Sequence, residues 1–301
     1  MARPGWRGRV VRWFRTILLG YGVLLGVVFF AQRGLVYHPE VAPEAALLAQ
    51  APQWGAEPWR NPAGDLIGWR RPARGVTGPH RQVLLVHGNA GDALDRVNYA
   101  AGLAAISPFA LHVLEYPGFG ARPGSPSQTA LLAAAEDAFQ LLRREGPVYL
   151  IGESLGTGVA AWLAGRFPDA VPAVLLVTPY HDLVEVGQYQ MPIFPVGLML
   201  WDRYPAAKFL RPYHGPLAVV LAGDDRVVPA RFGRELFEAY AGPKRVWEIP
   251  GAGHNDVMLR LPAGWWGELA DFWQWAPAPG TPSAPPTTGS AGLSPPPAPG
   301  R

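Results

Sequence analysis

Six short apolar runs constrain this chain more than any other feature: Gln82–Val86, Leu111–Tyr116, Val148–Gly152, Ala173–Thr178, Leu217–Ala222 and Arg245–Ile249. Apolar residues fall on both alternating positions rather than on every second one, which is the pattern of strands covered on both faces of a parallel sheet. Between the runs lie stretches with helical patterning: Asp92–Ile106, Gln128–Arg144, Leu155–Phe167, Ala230–Ala241 and Pro262–Trp275. Strand, helix, strand at this spacing predicts a doubly wound, mostly parallel sheet with right-handed crossovers. The stretch around Asp65–Trp69 is expected to add an early antiparallel strand, and no internal repeat is present.

The ends of the chain differ from this middle. Thr16 to Ala31 is uncharged and mostly apolar, and a helix from Trp13 to Gln32 would span about 30 Å, the thickness of a bilayer's hydrocarbon core. Five Arg precede the run and Arg33 follows it, so the positive-inside rule places the N-terminus in the cytoplasm and the remainder outside it. Residues 1–33 are therefore read as a signal-anchor that could be removed to leave a soluble domain. The alternative is a secreted protein with a cleaved signal peptide, but a cut after Ala31 would put bulky Phe29 where cleavage wants a small residue. Residues 276–301 hold nine Pro and one charge and are expected to be a disordered tail. That leaves 34–275 as the folded domain.

Charge and composition narrow the function. The net charge of +3 arises at one end: residues 1–33 carry six Arg and no acidic residue, leaving 20 basic against 23 acidic residues elsewhere. A nucleic-acid partner is not expected. There is no Cys, so disulfides, thiolate metal sites and a cysteine nucleophile are excluded. No cofactor or metal is called for.

The strand Val148–Gly152 runs into Gly152-Glu153-Ser154-Leu155-Gly156 and then into an Ala-rich helix. This is G-x-S-x-G in the strand-turn-helix context that its chemistry needs. A tight turn lifts the serine hydroxyl above the sheet edge, and the glycines let strand and helix approach closely. Ser154 is the candidate nucleophile. Its base and orienting acid should follow at the ends of later strands. Leu217–Ala222 ends in Gly223-Asp224-Asp225, and Arg245–Ile249 ends in Pro250-Gly251-Ala252-Gly253-His254. His254 is the candidate base, and the residues alone leave the acid open between Asp224 and Asp225. For an oxyanion, Gly88 in His87-Gly88-Asn89-Ala90-Gly91 lets a backbone N–H turn toward the reacting carbonyl, and the N–H of Leu155 is the expected second donor. His87 is read as a support for that loop, and Glu115 and Glu153 as structural hydrogen-bonding groups near the turn.

These motifs, together with Glu115-Tyr116-Pro117-Gly118-Phe119-Gly120 and the spacing of Asp225 to Pro229, resemble the Bem46 and ABHD12/13/17-like branch of the α/β-hydrolases over roughly residues 60–275. The resemblance implies an α/β-hydrolase fold with a small apolar lid. It implies Ser154, Asp225 and His254 as the triad, and backbone N–H groups of Asn89 and Leu155 as the oxyanion hole. It also implies hydrolysis of carboxylic esters or thioesters of small molecules or lipids. The lid is expected at 179–216, where the run from Met191 to Trp201 is strongly apolar. It reads either as an acyl-binding wall or as helix packed on the sheet. Two further functions stay open at this stage. One is an acyltransferase or amidase with the same triad; the other is a catalytically silent membrane-bound binding protein on the same scaffold.

Overall fold

The computed structural model describes residues 6–73, 81–105 and 109–274. Its centre is an eight-stranded sheet. In chain order the strands are β1 (Glu57–Arg60), β2 (Leu66–Arg71), β3 (Arg81–Val86), β4 (Phe109–Leu114), β5 (Val148–Glu153), β6 (Val174–Val177), β7 (Leu217–Ala222) and β8 (Lys244–Ile249). Their order across the sheet is β8-β7-β6-β5-β3-β4-β2-β1. All neighbours from β8 to β4 pair in parallel, while β2 pairs antiparallel with both β4 and β1. Each of the six apolar runs became a parallel strand; neither face of the inner ones is left to water, whereas β8 at the sheet edge is mostly exposed and only Ile249 is buried. β4, β6 and β7 are buried along their whole length.

Helices cover both faces. On one side α4 (Gln128–Leu142), α5 (Leu155–Arg166), α8 (Ala206–Leu210) and α9 (Ala230–Ala239) pack on Leu84, Leu150, Leu176 and Val219. On the other, α2 (Glu44–Gln50), α3 (Tyr99–Ala105) and α10 (Trp265–Gln274) share a core with Val83, Ile151, Leu175 and Val220. Local signals set the starts of some helices. The Ser127 side chain accepts the Ala130 N–H at 3.2 Å at the head of α4.

Two elements differ from expectation. The helix expected over 92–106 is broken: Asp92 Oδ1 accepts from the N–H of Leu94 at 2.9 Å and of Asp95 at 3.2 Å. Bonds to the second and third N–H groups beyond a side chain are those of an N-cap, and here they start only a 3₁₀ turn at Leu94–Arg96, which precedes the shorter α3. The sheet also gains β1 beyond the expected antiparallel strand.

The N-terminal helix α1 (Trp6–Val36) is 31 residues long and extends past both ends of the span 13–32, so the expected boundary at residue 33 falls inside it. It is long and apolar enough to cross a membrane. Its C-terminal half packs on the interval between β6 and β7. That interval holds α6 (Leu183–Gln190), α7 (Val196–Met199) and α8. The tail at 276–301 lies outside the described residues.

The chain leaving α1 is stitched to the domain. His38–Pro39 pairs in parallel with Ala90–Gly91, and Val41 bridges to Gly120. The N–H groups of His38, Glu40 and Ala42 donate to the carbonyls of Asn89, Gly91 and Gly120 at 2.7, 3.0 and 3.0 Å.

Candidate active site

The chain reverses its direction of growth across the sheet between β3 and β5, and the crevice above such a switch point is where ligands bind in open α/β sheets. Ser154 follows β5 at this point, and His87-Gly88-Asn89 follows β3. Ser154 sits at φ 50° and ψ −117°, a conformation that costs an L-residue about 1–3 kcal/mol. The surroundings impose it. The Ser154 N–H donates to Val177 O at 2.9 Å, and its carbonyl accepts the Thr157 N–H at 2.9 Å and the Thr157 hydroxyl at 2.6 Å. A Cβ on Gly156 would lie 2.1 Å from Val86 O, and one on Gly152 would lie 2.6 Å from Gly156 O. Only glycine at both positions lets α5 seat this close to β5 and β3.

Three side chains meet here in one line. His254 Nε2 lies 2.9 Å from Ser154 Oγ, and His254 Nδ1 lies 2.6 Å from Asp225 Oδ2. The other Asp225 oxygen accepts the N–H groups of Val227 and Val228, both at 2.8 Å, which fixes the carboxylate in the loop after β7. The Asp225 side chain is 1% exposed and that of His254 is 11% exposed. Asp224 is exposed, and its N–H donates to Ala252 O. Between the two acids left open by the residues, the fold thus brings Asp225 to the imidazole. The loop carrying His254 is held by Asp256, whose carboxylate accepts from Gly253 N–H at 2.7 Å and from Arg260 Nε at 2.6 Å. Those two contacts, the Gly253 amide first, hold the Asp256 carboxyl below its usual range. Chemically, the line of Asp225, His254 and Ser154 can move a proton off the hydroxyl and stabilise the imidazolium that results.

Asn89 and Leu155 line the same cavity as Ser154. Leu155 is the first residue of α5, so its N–H has no acceptor within the helix and is available to a ligand. A Cβ on Gly88 would lie 3.5 Å from Ser154 Cβ, so the loop passes directly beside the nucleophile position. Asn89 is fixed by the end of α1 and the segment after it: its side-chain amide donates to Val36 O at 2.7 Å, and its carbonyl accepts from His38 N–H.

The buried groups behind this loop do structural work. His87 is wholly buried against Tyr116, at 4.3 Å between ring centroids, with Nδ1 2.9 Å from Gly88 O. Burial, aided by the charge of Arg96, pushes it down to about 4, so it stays neutral. Glu115 Oε1 lies 3.6 Å from His87 Nε2, and the Glu115 carboxyl accepts the Ala93 N–H. Burial pushes Glu115 up to about 8, over the opposing pull of that amide and of Arg122. Glu153 accepts the Tyr99 hydroxyl at 2.8 Å and Arg96 Nε at 3.2 Å.

A cavity of about 320 Å³ opens over Ser154. One wall comes from the interval between β6 and β7, through Phe194, Val196 and Met199. The facing wall comes from α1, through Val28, Leu35 and Val36. Sequence reasoning missed this second wall. The single signal for it was Gln32, a polar residue just after an apolar run. It is the one buried residue of α1, donating to Met199 O at 3.1 Å and accepting the Trp201 N–H at 2.8 Å. Val28 and Gln32, which lie within the segment expected to be removable, thus line the cavity over Ser154.

Comparison with known proteins agrees with this architecture. A sequence profile describing the alpha/beta hydrolase fold matches residues 82–209. An uncharacterized protein of Mycobacterium tuberculosis is 36% identical over 247 residues, covering 79% of this chain and 86% of that protein. The alpha/beta hydrolase domain-containing protein 17B of Homo sapiens is 30% identical over 184 residues, covering 59% of this chain and 61% of that protein. Among solved structures, Est1E from Butyrivibrio proteoclasticus, with ferulic acid bound, superposes with a TM-score of 0.56 at 16% identity, over 69% of this chain and 94% of its own. With a doubly wound sheet, a strained serine at its switch point and these relatives, the chain belongs to the α/β-hydrolases.

Proposed function

We propose that this chain is a membrane-anchored serine hydrolase that cleaves carboxylic esters or thioesters through an acyl-enzyme on Ser154. The observation that carries the reading is the hydrogen-bonded line of Asp225, His254 and Ser154 beneath an apolar cavity. In the first step His254 Nε2 takes the Ser154 proton as Oγ attacks the acyl carbonyl, and Asp225 holds the ring and balances its charge. The backbone N–H groups of Leu155 and Asn89 receive the oxyanion. His254 then gives its proton to the leaving alcohol or thiol. In the second step His254 activates a water, which attacks the acyl-enzyme and releases the acid. The cavity's aliphatic lining suits a hydrocarbon acyl chain. The anchor in this reading is α1, and its Arg-rich start supports a cytoplasmic N-terminus with the catalytic domain on the other side.

A fluorophosphonate probe tests the reading directly. It should label the full-length protein at Ser154 and not label Ser154→Ala, and that variant should retain no more than background turnover of an activated aryl ester. Turnover by Ser154→Ala close to that of the wild type would end the serine mechanism.

A further inference from the structure

The N-terminal helix and the lid cannot both be where a simple tether model would put them. Partly or fully buried positions on α1 include Tyr21, Leu25, Val28, Phe29, Gln32 and Val36. These recur at helical spacing and form one stripe. The stripe faces the segment between α6 and α8. The Tyr21 hydroxyl donates to Ile193 O at 2.5 Å, Phe29 meets Trp201 edge-to-face at 5.0 Å, and Gln32 bonds the backbone of Met199 and Trp201. Farther along, Arg33 pairs with Asp202 at 3.1 Å. From Tyr21 to Val36 the contact runs for about 22 Å along the helix.

If the lid lay wholly in water, only Trp6–Gly20 would be left to cross the bilayer. That stretch is also about 22 Å long, short of a hydrocarbon core of about 30 Å. It contains Arg7, Arg9, Arg12 and Arg15. The uncharged run Thr16–Ala31 overlaps the lid contact instead. A crossing helix in this docked arrangement must carry the lid into the membrane with it.

The lid has the composition for that position. Val186–Trp201 contains no charged residue and no His, while Glu185 and Asp202 bound it on either side. Ile193 is 66% exposed, Leu198 89% and Trp201 45%, while the exposed polar side chains Gln188 and Gln190 turn their amides to the carbonyls of Pro192 and of Arg226 and Val227. The three apolar side chains continue the lipid-facing surface of α1, where Phe30 is 78% exposed. Trp201 and Tyr189, near the charged boundary, are residue types that favour the membrane interface.

The geometry points to a lid immersed in the bilayer leaflet nearest the catalytic domain. Its outer face meets lipid hydrocarbon, and its inner face and α1 enclose the cavity over Ser154. An acyl chain then reaches Ser154 from within that leaflet, without crossing water. The route for the chain rests on the hydrolase reading above; the position of the lid does not.

The chain has no Cys, so single-cysteine variants report cleanly. Ile193→Cys, Leu198→Cys and the control Asp169→Cys, an exposed site beyond α5, are each labelled with an environment-sensitive fluorophore. The full chain is reconstituted in phosphatidylcholine vesicles. Labels at 193 and 198 should emit to the blue of the control. They should be quenched by lipids bearing a nitroxide on the acyl chain and protected from iodide. Iodide quenching equal to that of the control at both sites overturns the proposal. Leu198→Glu supplies a second readout. A charge at a lipid-facing site should cut turnover of a long-chain ester carried in vesicles by about tenfold or more, leaving turnover of a water-soluble acetyl ester unchanged. Equal turnover of the long-chain ester by this variant and the wild type also counts against the immersed lid. Loss of acetyl-ester turnover and of fluorophosphonate labelling in the wild type would instead sink the hydrolase reading, with the fluorophore results still deciding where the lid lies.

Discussion

Replacing Glu115 by Gln should make the protein markedly less sensitive to alkaline pH. The Glu115 carboxyl is 1% exposed and is raised from an ordinary value of 4.5 to about 8, chiefly because burial penalises the charged form. Its folded state holds a proton that the unfolded state has already released. A raised pKa of this kind favours the folded state at low pH, and that advantage is lost as pH rises from about 4.5 through about 8. Over that window the slope is about 1.4 kcal/mol per pH unit, or about 4 kcal/mol between pH 5 and pH 8. His87, lowered from 6.5 to about 4, acts oppositely over part of the same range: its neutral buried form loses stability as pH falls from about 6.5 to about 4. A single wild-type curve mixes these two with Asp92, raised to about 6 by burial and then by the Glu115 charge, whereas the difference between Glu115→Gln and wild type removes the His87 contribution and leaves Glu115 with its coupling to Asp92. Gln keeps the shape and an acceptor oxygen for the Ala93 N–H while removing the ionisation. Urea unfolding of the full chain in a mild detergent, followed by tryptophan fluorescence, gives the difference at pH 5, 6, 7 and 8. The variant should gain on the wild type by several kcal/mol across the series. Parallel stability curves would show that Glu115 does not titrate in this window and would refute the reasoning.

Asp225→Asn should lower turnover on the order of 10⁴-fold by misorienting His254, and exposed Asp224→Asn should remain within about tenfold of wild type; the reverse ranking in steady-state kinetics would reassign the acid. Gly156→Ala should cost about 1–3 kcal/mol in thermal unfolding, together with most of the activity, because the new Cβ meets two backbone carbonyls that cannot step aside. Val28→Trp, on the α1 wall of the cavity, should depress kcat/KM for long-chain esters while leaving an acetyl ester little affected; equal losses on both would show that the wall does not select chain length.

Most of the sheet was legible in the sequence because a strand buried on both faces must be apolar at consecutive positions, as Val83–Val86 and Val219–Ala222 are. β1 was not legible, since Pro58 interrupts it and only Trp59 of its four residues is buried. The residues proposed as base and acid could be placed on loops by chain order, but choosing between Asp224 and Asp225 needed the backbone, because adjacent residues lie equally near in sequence and point apart in space. The α1 wall was hidden for another reason. A helix apolar all round carries no periodic mark of the face that packs, so the stripe from Tyr21 to Val36 emerges only once the lid lies against it. The break before α3 lies between Arg96 and Tyr99, inside a run whose apolar positions Leu94, Val97, Ala100 and Leu103 continue across it, so the hydrophobic pattern does not record it.

The stitched segment from His38 to Ala42 has a kinetic consequence. Many tethered catalytic domains hang on a slack linker whose length sets how far they can reach. Here α1 ends in the cavity wall, and the next residues are hydrogen-bonded to the loops beside Ser154. On the proposed anchoring, the reach beyond the membrane plane is close to zero. Search for substrate becomes a two-dimensional problem, and turnover should track the mole fraction of substrate in the surface rather than its bulk concentration. Diluting the surface with inert lipid should slow the enzyme, while diluting the whole suspension at fixed surface composition should not.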